Sequence, residues 1–391
     1  MYLLRLGSRP KTNNKSKQTT PRTRPSFDKS YHPTDVQLGE GGGCVGVFVY
    51  NRRTDGTPVA VKVVAHDKLD ALQCMHHTRE LHILRNLSTH PNLVKVEEIY
   101  IVSDYTYIVM PYDPHAEELF DTIDRVHHKK NNVPAHEQCK TDHNYEPDNI
   151  MRQLAAAVAH LHTNDIAHRD IKAENALYNA QTQHVTLLDV GLAAHGNQLD
   201  RCTTMVGSLY YLAPEMVNIL YEGSGCYDAR QVDAWSLGVL LYIMCTGSPP
   251  FYDTTPRKLH RKICRGAYSH DLLRNKGASH TSLHCLERLL HVNPRKRASV
   301  VEVREMCNQM LVAKTTSSSS RVYTVIEMLV ELDMLYTIPV SNVCVIDIPA
   351  NPPTSMHISV IVSAAATVSS TACPSGRVKY ALNSTNVSFC G

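Results

Sequence analysis

The chain has 391 residues, 43% of them hydrophobic and 20% charged, a globular balance that excludes a wholly disordered or collagen-like protein. Lys+Arg number 40 against 37 Asp+Glu, a formal charge of +3, too weak a surplus to mark nucleic acid as the main partner. No run of about 18 apolar residues argues for a membrane-spanning helix, and residues 1–8 lack the apolar core of a secretory signal.

Residues 1–33 carry eight Lys/Arg and one acid within the first thirty, with Ser, Thr, Asn and Pro between them. Such a stretch cannot bury a core and reads as a disordered basic arm. Ordered sequence is expected from about residue 34. Val36 and Leu38, then Val45, Val47, Phe48 and Tyr50, flank a glycine cluster and read as two strands. Asp55-Gly56 marks a turn. Val59-Ala60-Val61-Lys62-Val63-Val64 reads as a buried strand and residues 69–87 as a helix. Two more short strands surround Ser103-Asp104. From Glu117 onward helical patterns dominate. Ile150, Leu154, Val158 and Leu161 recur at the spacing of an amphipathic helix. Residues 127–148 are polar and read as an inserted loop. Residues 233–246 are apolar on nearly every face and read as a buried helix. After Lys314, a Ser/Thr linker leads into a tail to which the sequence assigns no fold.

The 12 cysteines are scattered singly and form no C-x-x-C pair, so they read as free thiols in a reducing compartment. The sequons at Asn383 and Asn386 read as chance matches.

Four clusters carry chemistry. Leu38, Gly39, Glu40, Gly41, Gly42, Gly43, Cys44, Val45 and Gly46 lie between two strands, where residues without Cβ let backbone N–H groups approach phosphate oxygens. Lys62 sits on the next strand and, if inward, needs an anionic partner; Glu80 on the following helix is the candidate. His168-Arg169-Asp170-Ile171-Lys172-Ala173-Glu174-Asn175 packs a carboxylate, an ammonium and an amide into one loop. Asp189-Val190-Gly191 puts a carboxylate at a strand end, which suits a metal ligand.

Together these residues resemble the eukaryotic-type protein kinases. Val59-Ala60-Val61-Lys62 is similar to the family's strand-lysine motif and residues 168–175 to its catalytic loop. Ala213-Pro214-Glu215 resembles the end of the activation segment, and Asp233-Ala234-Trp235-Ser236-Leu237-Gly238 a buried helix of the large lobe. Arg297 matches the arginine that pairs with the Glu215 equivalent. Lys172, Ser208 and Glu118-Leu119-Phe120-Asp121 look like serine/threonine kinases of the calmodulin-dependent and checkpoint group. The resemblance implies an α+β, two-lobed protein-kinase fold over residues 34–312, with a small β-rich lobe over about 34–110, a large helical lobe over about 114–312, and a tail of unknown structure over 313–391.

It also implies ATP-dependent phosphorylation of serine/threonine hydroxyls on protein substrates, with ATP and Mg as cofactors. Asp170 would position the hydroxyl, Lys172 neutralise the moving phosphoryl, and Asn175 and Asp189 hold the metal. Residues 38–46 would cover ATP. Lys62, held by Glu80, would orient the phosphates, with Met110 behind the adenine and the backbone of Pro111 and Asp113 facing it. Thr204 occupies the place of an activating phosphothreonine, with Arg169 as its partner, and Glu118 and Glu174 resemble acids that face a basic residue upstream of the target. The implied partners are protein substrates, with neither nucleic acid nor membrane, in a cytoplasmic or nuclear setting.

The sequence departs from the family pattern in three places. The glycine loop holds about one extra residue, Val190 replaces Phe, and the 127–148 insertion carries His136, Cys139 and His143, one ligand short of a zinc site. Such departures suit a fast-diverging lineage such as a large DNA virus. A binding scaffold without transfer would lose Lys62, Asp170, Asn175 or Asp189, and all four are present.

Overall fold

The protein is described by a computed structural model. It covers residues 26–39, 45–128, 145–196 and 199–316, and the backbone of four strands between residues 358 and 390. Two compact units divide it: Met1–Cys74 with Val96–Tyr112, and Met75–Lys95 with Asp113–Gly391.

The first unit is a five-stranded antiparallel sheet. A single helical turn, α1 (Phe27–Ser30), leads into β1 (Tyr31–Gly39), β2 (Gly46–Arg52) and β3 (Pro58–Ala65). Helix α2 (Ala71–Asn86) follows and runs on into the second unit; β4 (Glu98–Ile101) and β5 (Tyr105–Pro111) complete the sheet in the order β1-β2-β3-β5-β4. β3 is buried from Val59 to Ala65 except at Lys62, and Val59, Val61, Val63 and Val109 form its core. Phe27 is the centre of an aromatic cluster: its ring stacks on Tyr107 at 3.9 Å and meets Tyr31, Tyr50 and Tyr100 at 5.2–5.5 Å. Tyr31 donates to Glu98 Oε2 at 3.0 Å, and burial pushes its hydroxyl pKa up to about 12. The basic arm therefore ends before residue 33. The Phe27 and Tyr31 rings bury enough apolar surface to fix residues that the surrounding charge marks as solvated.

The second unit begins its new elements with β6 (Ala116–Glu118), α3 (Leu119–His127) and α4 (Pro147–Thr163). Ile150, Leu154, Val158 and Leu161 are fully buried, as their spacing predicts. Residues 129–144, with His136, Cys139 and His143, lie outside the described residues. Next come β7 (Ile166–Ala167), β8 (Ala176–Asn179), β9 (His184–Leu187) and β10 (Ala194–His195). They form a three-stranded β6-β8-β9 sheet and a β7-β10 pair. Helices α5 (Pro214–Glu222), α6 (Ala229–Thr246), α7 (Pro256–Arg265), α8 (His270–Asn275), α9 (His280–Leu289) and α10 (Val300–Thr316) complete the helical part. α6 is the central element. Asp228 caps it by accepting from Arg230 N, and Trp235, Leu237, Val239, Leu240 and Leu241 are all fully buried. α10 packs on α4 and α9 and buries Val303 and Cys307. It continues past residue 312, the expected end of the domain. In the tail, β11 (Ile358–Val362), β12 (Ala366–Ala372), β13 (Val378–Leu382) and β14 (Val387–Cys390) make an antiparallel meander.

Among the described residues no helix is long and apolar enough to cross a membrane.

Candidate active site

In the first unit, β1 and β2 carry the edges of the glycine loop and β3 the strand lysine. Leu38 and Gly39 end β1, and Gly39 pairs with Val47. Val45 N donates to Val63 O at 2.7 Å just before Gly46. Gly46 has φ +154°, and a Cβ there would meet the Phe48 ring at 2.9 Å and Gly39 O at 3.1 Å, so the strand can begin so close to Gly39 only with glycine. Glu40, Gly41, Gly42, Gly43 and Cys44 lie outside the described residues. Lys62 pairs in register with Val47 on one side and Ile108 on the other. Met110 and Pro111 close β5 opposite Ala60 and Val59.

In the second unit, Glu80 is buried on α2, with His77 Nδ1 at 3.5 Å. Asp113 accepts from Asn179 Nδ2 at 2.7 Å and from His115 N at 2.9 Å. Burial pushes its carboxyl up, but these hydrogen bonds outweigh it and hold the group below the usual range.

The loop of residues 168–175 is strung between β7 and β8 and held by a residue on α6. Asp233 is fully buried; its carboxylate accepts from His168 N at 2.8 Å and Arg169 N at 2.7 Å, and His162 Nε2 lies 2.8 Å away. A buried carboxylate is tolerable only with such partners, and here they fix the backbone of the loop. Arg169 takes the left-handed conformation, φ 64°. His168 is also buried: Asp170 N donates to its Nδ1 at 3.3 Å, so Nε2 carries the hydrogen and donates to Leu188 O at 2.8 Å. One ring thus ties the catalytic loop to the residue preceding Asp189.

Asp170, Lys172 and Asn175 converge. Asn175 Nδ2 donates to Asp170 O at 2.8 Å and to Asp170 Oδ2 at 2.9 Å, and Lys172 Nζ lies 2.9 Å from the same Oδ2. The other carboxylate oxygen, Oδ1, accepts from Ser208 Oγ at 3.1 Å, while Lys172 donates to that hydroxyl at 3.2 Å. A hydroxyl oxygen is therefore held between a carboxylate that takes its hydrogen and an ammonium. Gly207 makes this approach possible: at φ +104° a Cβ would stand 2.9 Å from Arg169 O.

Leu188 N donates to Asn175 O at 2.8 Å, which brings Asp189 beside the loop. Asp189 is itself left-handed, φ 52°, and its Oδ1 accepts from Gly191 N at 3.0 Å. With the Asn175 amide nitrogen committed to Asp170, the donors that Asn175 and Asp189 could offer a cation are oxygens. That chemistry fits a hard divalent cation such as Mg²⁺. Val190 is 2% exposed and belongs to the core of the unit.

Glu118 and Glu174 are both exposed, and burial together with the charges of Asp121 and Glu174 raises the Glu118 carboxyl above its ordinary pKa. Thr204 is exposed; Tyr227 donates to its carbonyl at 2.6 Å and accepts from Arg169 Nη1 at 3.3 Å. Arg297 and Glu215 form a bidentate pair at 2.7 and 2.9 Å, with the Arg297 guanidinium 5.0 Å above the Trp235 ring.

Sequence reasoning missed Asp233 as the anchor of the loop. The available signal was a lone carboxylate heading an otherwise apolar run. It also missed the Ser208 bridge, because hydroxyl contacts across 38 residues leave no spacing to read.

A family model described as the protein kinase domain matches residues 33–311. NUAK family SNF1-like kinase 2 of Homo sapiens is 32% identical over 264 residues, 67% of this chain and 38% of the relative. Phosphorylase b kinase gamma catalytic chain, liver/testis isoform, of Mus musculus is 30% identical over 277 residues, 69% of this chain and 64% of the relative. Calcium-dependent protein kinase 3 of Plasmodium berghei is 31% identical over 281 residues, 71% and 46% of the two chains. The matches thus span less than two thirds of these relatives' own lengths. A crystal structure of Rad53 1-466 in complex with AMP-PNP superposes with TM-score 0.55 at 27% identity, covering 71% of this chain and 65% of that one.

Proposed function

Because the chain belongs to the protein kinase family, whose domain model matches residues 33–311, we propose that it transfers the γ-phosphoryl group of ATP to serine or threonine hydroxyls of protein substrates. The observation that carries this reading is the Ser208 hydroxyl, 3.1 Å from Asp170 Oδ1 and 3.2 Å from Lys172 Nζ. It is a hydroxyl seated where a phosphoacceptor must be oriented.

Asp170 takes the hydrogen bond of the incoming hydroxyl and aims its oxygen in line. Lys172 places positive charge beside the transferred group, and Asn175 keeps Asp170 in one rotamer through its Nδ2. Catalysis of this kind is mostly positioning and electrostatics. Asn175 and Asp189 would hold Mg²⁺, which when bound neutralises phosphate charge. Lys62 would orient the phosphates, and residues 38–46 would offer them backbone N–H groups. Met110 would back the adenine, with the backbone of Pro111 and Asp113 as its hydrogen-bonding candidates; Pro111 lacks an N–H but keeps its C=O. The AMP-PNP bound to the Rad53 relative is a nucleotide of the same class.

Transfer of labelled phosphate from ATP to generic protein substrates tests the reading, with Asp170→Asn as the variant. Loss of all but about a tenth of turnover or less, with melting temperature and nucleotide binding kept, is the expected result. Retention of most activity removes Asp170 from the mechanism.

A further inference from the structure

The segment before Ala213, helix α5 and helix α7 enclose a cavity of about 270 Å³ that has no part in the chemistry above. Leu209, Leu220, Tyr221, Tyr252, Leu259 and His260 line it. Leu259 is buried, but Leu209, Leu220, Tyr221 and Tyr252 are each about half exposed, at 54%, 55%, 46% and 56%. Two ring pairs stiffen the walls: Tyr221 lies flat on His260 at 4.2 Å, and Tyr210 meets Tyr252 at 6.1 Å with the rings inclined by 30°. His260 is fixed further by Asn218 Oδ1 at 3.1 Å. Large apolar side chains left open around a concave, rigid site mark a recognition surface rather than scattered surface residues.

Its flank along α7 is basic, and Asp253 is the one carboxylate among the lining residues. α7 reads Pro-Arg-Lys-Leu-His-Arg-Lys-Ile-Cys-Arg and contains no acid. Pro256, Leu259, His260 and Ile263 face the cavity, while Arg257, Arg261 and Arg265 repeat every fourth residue, one row along the flank of the helix. All three arginines and Lys258 are exposed. Of the five cations on α7 only Lys262 has a carboxylate within ion-pair distance among the described residues, Asp253 at 3.1 Å. A row of cations left open beside an apolar cavity is complementary to carboxylates beside an apolar anchor.

We infer that this surface docks an acidic segment of a protein partner. An aromatic or leucine side chain enters the cavity against Tyr221 and Tyr252, and flanking Asp/Glu residues lie along the Arg257–Arg261–Arg265 row. The docking is separate from the hydroxyl-binding cluster at Asp170 and does not rest on phosphoryl transfer, since it is read without ATP.

The test uses the full chain and fluorescence anisotropy of a labelled peptide, Glu-Glu-Leu-Trp-Glu-Glu-Phe-Leu-Asp-Glu. The comparison peptides carry Lys at every acid, or Ser at every apolar residue. The acidic apolar peptide should bind at least about tenfold tighter than either, and its affinity should fall as salt is raised. Arg257→Glu with Arg261→Glu should abolish this difference, as should Leu220→Ser with Tyr221→Ala, with melting temperatures unchanged. Equal binding of the three peptides, or binding indifferent to both double variants, overturns the inference. Two other occupants are excluded by the same assay. If Glu327→Lys, Glu331→Lys and Asp333→Lys together strengthen peptide binding, the chain's own tail fills the surface. If sedimentation shows self-association that Arg257→Glu with Arg261→Glu removes, a second copy does. Either result overturns the assignment to a partner.

Discussion

Asp170 is useful only because its two oxygens have different neighbours, Lys172 and Asn175 on one and Ser208 on the other. Ser208→Ala should therefore loosen Asp170 without removing the carboxylate, lowering kcat while leaving nucleotide affinity intact in a binding titration. Asp233 acts one step further back. Asp233→Ala would orphan two buried N–H donors at His168 and Arg169, at about 1–3 kcal/mol each. A melting temperature within a degree of wild type would show that the loop holds itself. Val190 gives the opposite kind of case. Its site is already closed at 2% exposure, so Val190→Phe should overpack the core by about 1–3 kcal/mol and lower both the melting temperature and transfer. The motif letters Lys62, Asp170, Lys172, Asn175 and Asp189 are legible in the sequence because each is read from its own side-chain type at a fixed local spacing. Asp233 and Ser208 are not, because their work is done on residues 64–65 and 38 positions away.

At the scale of elements, the periodic ones were the readable ones. α4 shows its apolar stripe and α6 its apolar run, and both are buried as that pattern requires. α1 is invisible for the converse reason: four residues have no period, and Phe27 is a single apolar letter in a basic stretch. Two predictions belong here. The segment bearing Thr204 is tied to the catalytic loop through Tyr227, which links the Thr204 carbonyl to Arg169. Arg79 lies near enough for burial and the Arg169 charge to depress its pKa. A cation one hydroxyl away from an exposed threonine favours a phosphate there. Phosphopeptide mapping of active protein should find Thr204 modified, and Thr204→Ala should lower activity; full activity in that variant rules the switch out. The second concerns the turn after α2. His90 Nδ1 accepts from Asn92 N at 3.1 Å, its ring lies 5.1 Å from that of His160, and burial followed by the His160 charge lowers its pKa to about 4. The unfolded chain binds this proton at an ordinary histidine pKa of about 6.5. Between those values the unfolded state holds more protons, so the contribution of His90 to stability is complete above about pH 6.5 and is lost as the pH falls toward 4. His90→Asn keeps an acceptor for Asn92 N and should flatten the melting temperature across that interval. An unchanged acid limb would place the loss elsewhere.

At the scale of the whole molecule, the question is where the folded unit ends. Sequence motifs place the boundaries at 34 and 312, and the family match at 33 and 311, because motifs mark chemistry and not burial. The structure places apolar anchors, Phe27 and Tyr31, outside the first limit, and carries the backbone of α10 past the second. Phe27 is 3% exposed and Tyr31 2% exposed in the core of the first unit. α10 runs to Thr316 and is held by Val303 and Cys307. A chain cut to 34–312 loses Phe27 and Tyr31 from the aromatic cluster and the last turn of α10, whereas a chain of 26–316 keeps them. Removing a buried Phe costs about 3–5 kcal/mol, a large share of the 5–15 kcal/mol that holds an ordinary domain together. The bidentate Glu215–Arg297 pair, by contrast, lies well inside either cut and is common to both. The 34–312 chain should therefore melt well below the 26–316 chain, and Phe27→Ala in the full chain should reproduce most of the difference. Thermal unfolding of the three proteins side by side decides the matter. If 34–312 is as stable as 26–316, the Phe27 cluster contributes nothing and the motif boundaries are the true ones. If only Phe27→Ala is destabilised, the loss comes from an unfilled cavity in the intact sheet rather than from the missing segment.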